Sequence, residues 1–205
     1  FNVVPETENH LLLTNTSLYL TNEMIIEDGS KEEKYDNIKN GVHSILKSQL
    51  EKIKNEGFYE YNSRPYCGIT LRGLLVLYSC TTNEEIKILA KQILDDTFKK
   101  YVSQCWRGYT SLPFRRRKEY IDDNLRNFDA MSSWAAAYTD YSADGFEKIE
   151  SITLVLYSRI LDYRPPADYI AMYLDDFNEY WVRSKQHNIE ITYREKNFAI
   201  FSGGH

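Results

Sequence analysis

Through nearly the whole chain, apolar residues recur at three- and four-residue spacing in segments closed by glycine, proline or polar clusters. That period belongs to helices with one buried face, and short closing segments bring such helices together as antiparallel pairs. Pro5 followed by Glu6, Thr7 and Glu8 is a helix opening, because proline presets φ and first-turn carboxylates complement the exposed N–H groups. Leu12, Thr16, Tyr19, Leu20 and Met24 then mark a buried stripe that ends at Asp28-Gly29-Ser30-Lys31. A second helix is expected over about 34–55, with Ile38, Val42, Ile45, Leu46, Gln49, Leu50 and Ile53 inward and Gly57 as its stop.

The third helix, about 67–79, is apolar on several sides and so reads as an inner helix. The fourth opens at Thr82-Asn83-Glu84-Glu85, a cap followed by two first-turn carboxylates, and its single stripe from Ile86 to Phe98 predicts an outer helix. A long loop runs from Arg107 to Arg117, with a short helix over 116–125 and further helices over about 130–141, 145–161 and 166–183. Near the end the period changes. Ile189-Glu190-Ile191-Thr192-Tyr193 alternates, and Phe198-Ala199-Ile200-Phe201 follows a polar turn, which reads as a β-hairpin or the entry to a β-domain. The expectation is therefore an all-α fold of roughly seven or eight helices over residues 1–185, with a β tail over 186–205. Buried helices alternating with amphipathic ones suit an (α/α) barrel or toroid, and no fixed repeat marks a solenoid of the tetratricopeptide kind.

At 205 residues with 42% hydrophobic content, the chain can bury a sizeable core. A formal charge of −5 and a pI near 5.5 argue against nucleic acid as a partner. The run Leu74-Leu75-Val76-Leu77-Tyr78 is far shorter than the ~20 residues of a membrane span. The first residue is Phe1, with no initiator methionine and no signal peptide, and the last residues follow an apolar stretch; a fragment of a longer protein is the expectation. Cys67, Cys80 and Cys105 have neither disulfide-framework nor zinc-site spacing, so no metal and no cofactor is expected. Seventeen tyrosines dominate the aromatic set. A ring with a hydrogen-bonding tip suits a sugar cleft, although the abundance of Asn, Lys and Ile makes a general compositional bias an equal explanation.

Two motifs concentrate polar chemistry: Glu8-Asn9-His10, and Asn62-Ser63-Arg64-Pro65-Tyr66 beside the inner third helix. The string Glu8-Asn9-His10-Leu11-Leu12-Leu13 with Tyr19-Leu20-Thr21-Asn22 resembles the helix opening of large (α/α)-toroid proteins of bacteria. So do Glu60-Tyr61-Asn62-Ser63-Arg64-Pro65-Tyr66 with Thr70-Leu71 and Leu74-Leu75, and Pro113-Phe114-Arg115-Arg116-Arg117. The resemblance covers about two thirds of the chain and extends weakly to Asn197-Phe198 and Ser202-Gly203-Gly204. Their toroid is similar to that of alginate lyases and heparinase-type polysaccharide lyases, which often carry a β-sandwich after it. What this implies is a carbohydrate-active module, periplasmic or secreted, taking a polysaccharide or oligosaccharide and linked to further domains of the same polypeptide; fold alone does not fix function.

Lyase-type β-elimination of an acidic polysaccharide needs a group that neutralises the carboxylate, a base that takes the neighbouring proton and an acid for the leaving oxygen. Asn9, His10, Arg64 and Tyr66 supply those residue types, and Asn62 adds an amide donor. Glu60, between Tyr59 and Tyr61, supports the alternative of an (α/α)-barrel glycoside hydrolase, where a carboxylic acid pair does the work. Arg115, Arg116 and Arg117 form the one dense basic run and would hold a polyanion; pairing with Glu119, Asp122 and Asp123 is the structural reading. Trp106 and Trp134 would stack on sugar rings or else sit in the core. A non-catalytic helical scaffold, in which the polar residues of the two motifs bond mainly to each other, is the remaining possibility.

Overall fold

In a computed structural model of the chain the described residues are 7–61, 63, 66–106, 108, 130–139, 152–175, 180–184 and 189–203. They form α1 (Glu8–Glu27), α2 (Val42–Glu56), α3 (Tyr66–Cys80), α4 (Glu84–Gln104), α5 (Ala130–Thr139), α6 (Ile152–Ile160) and α7 (Ala167–Leu174). Three strands follow: β1 (Tyr180–Ser184), β2 (Glu190–Arg194) and β3 (Ala199–Gly203). The expected helix over 116–125 lies outside the described residues.

In α1 the buried stripe is Asn9, Leu12, Thr16, Tyr19 and Asn22. Leu12, Thr16 and Tyr19 are where the period put them, but Met24 is 64% exposed and the buried positions at both ends are asparagines. The second helix begins eight residues later than its period suggests. Asp36 accepts hydrogen bonds from the Ile38 and Lys39 amides, and Asn40 accepts one from Val42. These side chains hold the backbone in turns in place of the helical ladder. Gly41, at φ +83, then sets the entry to α2. Ile38 and Ile45, expected inside, are exposed, while Leu46, Leu50 and Ile53 are buried.

Cross-links along α1 fix the helix directions. Asn22 pairs with Asn37, Tyr19 with His43 and Asn15 with Gln49, so α1 and α2 run antiparallel. Leu13 lies against Gly73 and Glu23 accepts from Thr81, so α3 runs parallel to α1. The three residues between α3 and α4 force another antiparallel pair, and Lys47 bonded to Glu85 joins α2 to α4. Two α-hairpins thus stack with like helices side by side. On the far side, α6 and α5 cover α3, and α7 and α5 cover α4.

α3 is the inner helix expected, buried through Leu71, Leu74, Leu75 and Leu77. At Gly68 it comes so close to α5 that a Cβ there would stand 2.6 Å from the Ala130 Cβ. α4 corrects the expectation of an outer helix: it touches α2, α3, α5, α7 and β1. Asn83 caps it, accepting the Ile86 amide at 3.1 Å. Its early turns show one stripe, but from Thr97 through Gln104 the buried positions spread round the helix, where the sheet lands.

The last expected helix, 166–183, is corrected as well. α7 stops at Leu174, and residues 180–184 form a strand instead. Tyr180-Trp181-Val182 is β-prone and finds a partner, pairing Trp181 with Tyr193 and Val182 with Thr192. The expected hairpin is present as β2 and β3, antiparallel, in a sheet ordered β1-β2-β3. β2 turns its polar residues inward: Glu190, Thr192 and Arg194 are all buried. Glu190 pairs with Lys100 at 2.9 Å and accepts from Gln104, and Arg194 donates to the carbonyls of Val102, Cys105 and Met172. A cation on the last carbonyls of α4 and α7 satisfies groups that a helix end leaves open and suits the negative end of the dipole.

Candidate functional site

The first polar motif meets the loop that leads toward the second. α1 opens with Glu8, and its Oε2 accepts the backbone N–H of Tyr59 at 3.0 Å. Tyr59 belongs to the loop after Gly57, where Tyr61 N–H donates to Phe58 O and Ser63 N–H to Glu60 O. Phe58 and Tyr61 plug the core while Tyr59 between them is 67% exposed, so the loop is anchored on both sides of one projecting ring. Ser63 O then accepts the Cys67 amide, which leads the chain into α3.

Each residue singled out from sequence has its own place. Asn9 is fully buried. Thr7 donates to its Oδ1, and its Nδ2 has no partner among the described residues. His10, next along α1, points to solvent. Glu60 is buried at 3% exposure, and Tyr66 is half-buried as the first residue of α3. Because α1 and α3 run parallel with Leu13 against Gly73, the first turns of both helices lie at the same end of the stack. Asn62, Arg64, Arg115, Arg116 and Arg117 lie outside the described residues.

Both tryptophans are held by the protein itself. Trp134 is fully buried, stacked on Tyr163 at 6.0 Å and edge-on to Phe98, so no face of its indole is open to a sugar. Trp106 donates its Nε1–H to the Glu195 carbonyl at 2.9 Å, which ties the end of α4 to the turn after β2. Much of the tyrosine excess is core too. Tyr19, Tyr61, Tyr101, Tyr163 and Tyr173 are buried. Their hydroxyls reach polar partners where these are near, Tyr163 to Asp95 and Tyr101 to the Gly108 carbonyl.

An open groove of about 420 Å³ lies beside the Glu8–Tyr59 junction, lined by Glu8, Leu11, Gln49, Lys52, Glu56 and Tyr59 among others. Its described walls carry two carboxylates against one ammonium, a balance unsuited to a polyanion. Neither His10 nor Tyr66 lines it. Sequence reading missed Lys52, Glu56 and Tyr59 as wall residues. The signal available was an exposed aromatic just past the Gly57 stop, where a helix end and a loop leave a recess. On the other side of the loop is a tight crevice of about 10 Å³ between Phe58, Tyr61, Asp96 and Lys100, room for about one water. Partial burial and the neighbouring Asp95 push the Asp96 carboxyl above the usual range.

A second polar line was also missed. The Tyr19 hydroxyl meets His43 Nδ1 at 3.2 Å, and His43 Nε2 meets Glu85 at 3.2 Å. Burial, with Glu23 and Glu85 adding to it, pushes the Tyr19 hydroxyl up to about 12. Tyr19 is only 2% exposed, so this line runs from the core at α1 through α2 to the surface at Glu85 of α4.

Among the described residues no group of three or more His, Cys, Asp or Glu is placed to hold a metal ion, and no helix is long and apolar enough to cross a membrane. Compared with the models of known protein families, with curated proteins and with solved structures, the chain finds no match in any of the three.

Proposed function

We propose that the protein is a carbohydrate-active module that receives a glycan in the groove between α1, α2 and the Tyr59 loop. The observation that carries this reading is the Glu8–Tyr59 bond. It ties the first turn of α1 to the loop after Gly57 and holds an exposed aromatic ring over a 420 Å³ groove whose walls offer hydrogen-bonding groups. Aromatic rings present an apolar face to a sugar while neighbouring carboxylates and amides take its hydroxyls.

The groove favours a neutral glycan, through its carboxylates Glu8 and Glu56, and so a glycoside hydrolase or a binding role. Lyase-type β-elimination of an acidic polysaccharide is the second reading. It rests on the residue types Asn9, His10, Arg64 and Tyr66, of which Asn9 and His10 lie in the first turn of α1 and Tyr66 in that of α3. An (α/α) toroid is the finer architecture that goes with either reading, and the parallel stacking of two α-hairpins supports it.

The test incubates the protein with neutral oligosaccharides and with uronate polymers. The groove reading expects binding or release of reducing ends from the neutral set, lost in Tyr59→Ala. A lyase would instead generate ultraviolet-absorbing unsaturated ends from uronates, reduced in Tyr66→Phe. If neither set binds or reacts, the carbohydrate reading fails.

A further inference from the structure

Lys100 stands between the sheet and the loop that carries Tyr59. Its Nζ pairs with Glu190 of β2 at 2.9 Å and sits over the Tyr61 ring, 3.9 Å from the centroid. Both side chains of the ion pair are only 11% exposed. At that depth water and salt screen charge weakly, so the groups facing the ammonium decide where it stays. An ammonium over a ring face attracts it more strongly once water is excluded.

Tyr61 is one of the two rings that anchor the loop. Phe58 and Tyr61 are buried, and Tyr59 between them forms part of the groove wall. The Tyr61 amide donates to the Phe58 carbonyl and the Ser63 amide to that of Glu60, so a displaced Tyr61 ring carries the turn with it. Contacts therefore run unbroken from Glu190 on the sheet, through Lys100, to Tyr61 and the loop.

Coupling between two places needs an element with two arrangements. Asp96 supplies the second one. It lies one helical turn before Lys100, the spacing at which carboxylate and ammonium meet on a helix, and both line the tight crevice beside Phe58 and Tyr61. Burial and Asp95 hold the Asp96 carboxyl above its usual range, with Lys99 and Lys54 as the opposing cations. A carboxylate in that position gains from an arriving ammonium.

We propose that Lys100 couples the sheet to the Tyr59 loop and is a positioning residue of the groove. Held by Glu190, its ammonium keeps the Tyr61 ring seated and so fixes Tyr59 at the groove wall. Released from Glu190, it turns to Asp96 and the loop loosens. A displacement that draws Glu190 away from α4 is thus felt at the groove. Its bearing on a ligand rests on the groove reading above, whereas the coupling is a property of the protein alone.

The experiment measures amide exchange and carboxyl titration by NMR in the wild type and in Glu190→Gln, which removes the charge and keeps the size. The Tyr61 and Ser63 amides should exchange about tenfold faster relative to Ile93 of α4, the loss of one shielded cation–ring contact. Asp96 should titrate lower than in the wild type as the ammonium arrives. A purely structural role predicts that loop and α4 quicken by the same factor with Asp96 unmoved, and that result overturns the proposal. Tyr61→Leu keeps an apolar plug and removes the ring face. Adding Glu190→Gln to it should quicken the loop no further, and additive effects overturn the coupling. Coupling is reciprocal, so Tyr61→Leu alone should also loosen the β2 amides relative to Ile93. If Glu190→Gln does not fold, that measurement decides, and unchanged β2 exchange overturns the coupling. Neutral oligosaccharides that bind the wild type should bind Glu190→Gln about tenfold more weakly, and equal affinity overturns the positioning role. If none binds the wild type, the groove reading falls and the coupling is judged on exchange and titration.

Discussion

Gly68 is a point of close approach between α3 and α5, where the missing side chain lets the two helices come near. A Cβ there would meet the Ala130 Cβ at 2.6 Å with no flexible end to give way. Gly68→Ala is expected to cost about 1–3 kcal/mol in urea unfolding, and adding Ala130→Gly should recover part of it. Titration adds two expectations. The Tyr19 and Tyr163 hydroxyls are both raised by burial. A raised group lends its full stability below its ordinary value, near ~10, and loses it as pH rises. With Tyr19 at about 12, the unfolding midpoint should be flat to pH ~10 and fall between there and ~12, less steeply in Tyr163→Phe. Asp96 is raised for the same kind of reason, since burial and the neighbouring Asp95 disfavour its charge. Its stabilising form exists below ~4 and is gone at neutral pH, so Asp96→Asn should raise the midpoint at pH 7 but not at pH 3. Solvent screening keeps that gain under ~0.5 kcal/mol. Residues such as Trp134 show where sequence falls short: a tryptophan reads alike whether its neighbours are Tyr163 and Phe98 or a sugar.

At the scale of elements, α3 and α4 were legible because a local signal marks each. α3 carries apolar residues on several sides, and α4 opens with Asn83 as a cap before Glu84 and Glu85. Asn83→Ala should lower stability by about 1 kcal/mol in thermal unfolding. α2 and α7 were misjudged for physical reasons. Asp36 and Asn40 compete for backbone amides that the helical period assigns to the ladder. Residues 180–184 become a strand only because β2 lies alongside, a partner that no local window contains. The polarity of that strand pair was also beyond the pattern, since alternation tells which residues share a face and not which face is inside. The Lys100–Glu190 pair is the measurable consequence. Lys100→Met leaves a buried carboxylate and should cost about 3 kcal/mol or more, and Lys100→Met with Glu190→Leu should cost less than the single change.

For the whole molecule, the helical period and the tail's change of period were enough for a mostly helical body followed by β structure. The meeting of Glu8 with Tyr59 was not legible, because 51 residues separate them in sequence and only the antiparallel course of α1 and α2 closes that distance. α4 draws the parts together: α2 and α3 of the two hairpins, the later helices α5 and α7, and the sheet all rest on it. Opening any neighbour leaves α4 covered by the others, so amide exchange in its middle turns has no local route. Those N–H groups, Ile93 to Phe98, should exchange only when the entire molecule unfolds, and their protection should report the global free energy. The ends of α6 and the turn at Lys196 should exchange orders of magnitude sooner. Seen in time and not in space, α4 is the clock of the fold, the last segment to meet solvent and the one whose pace sets that of complete unfolding.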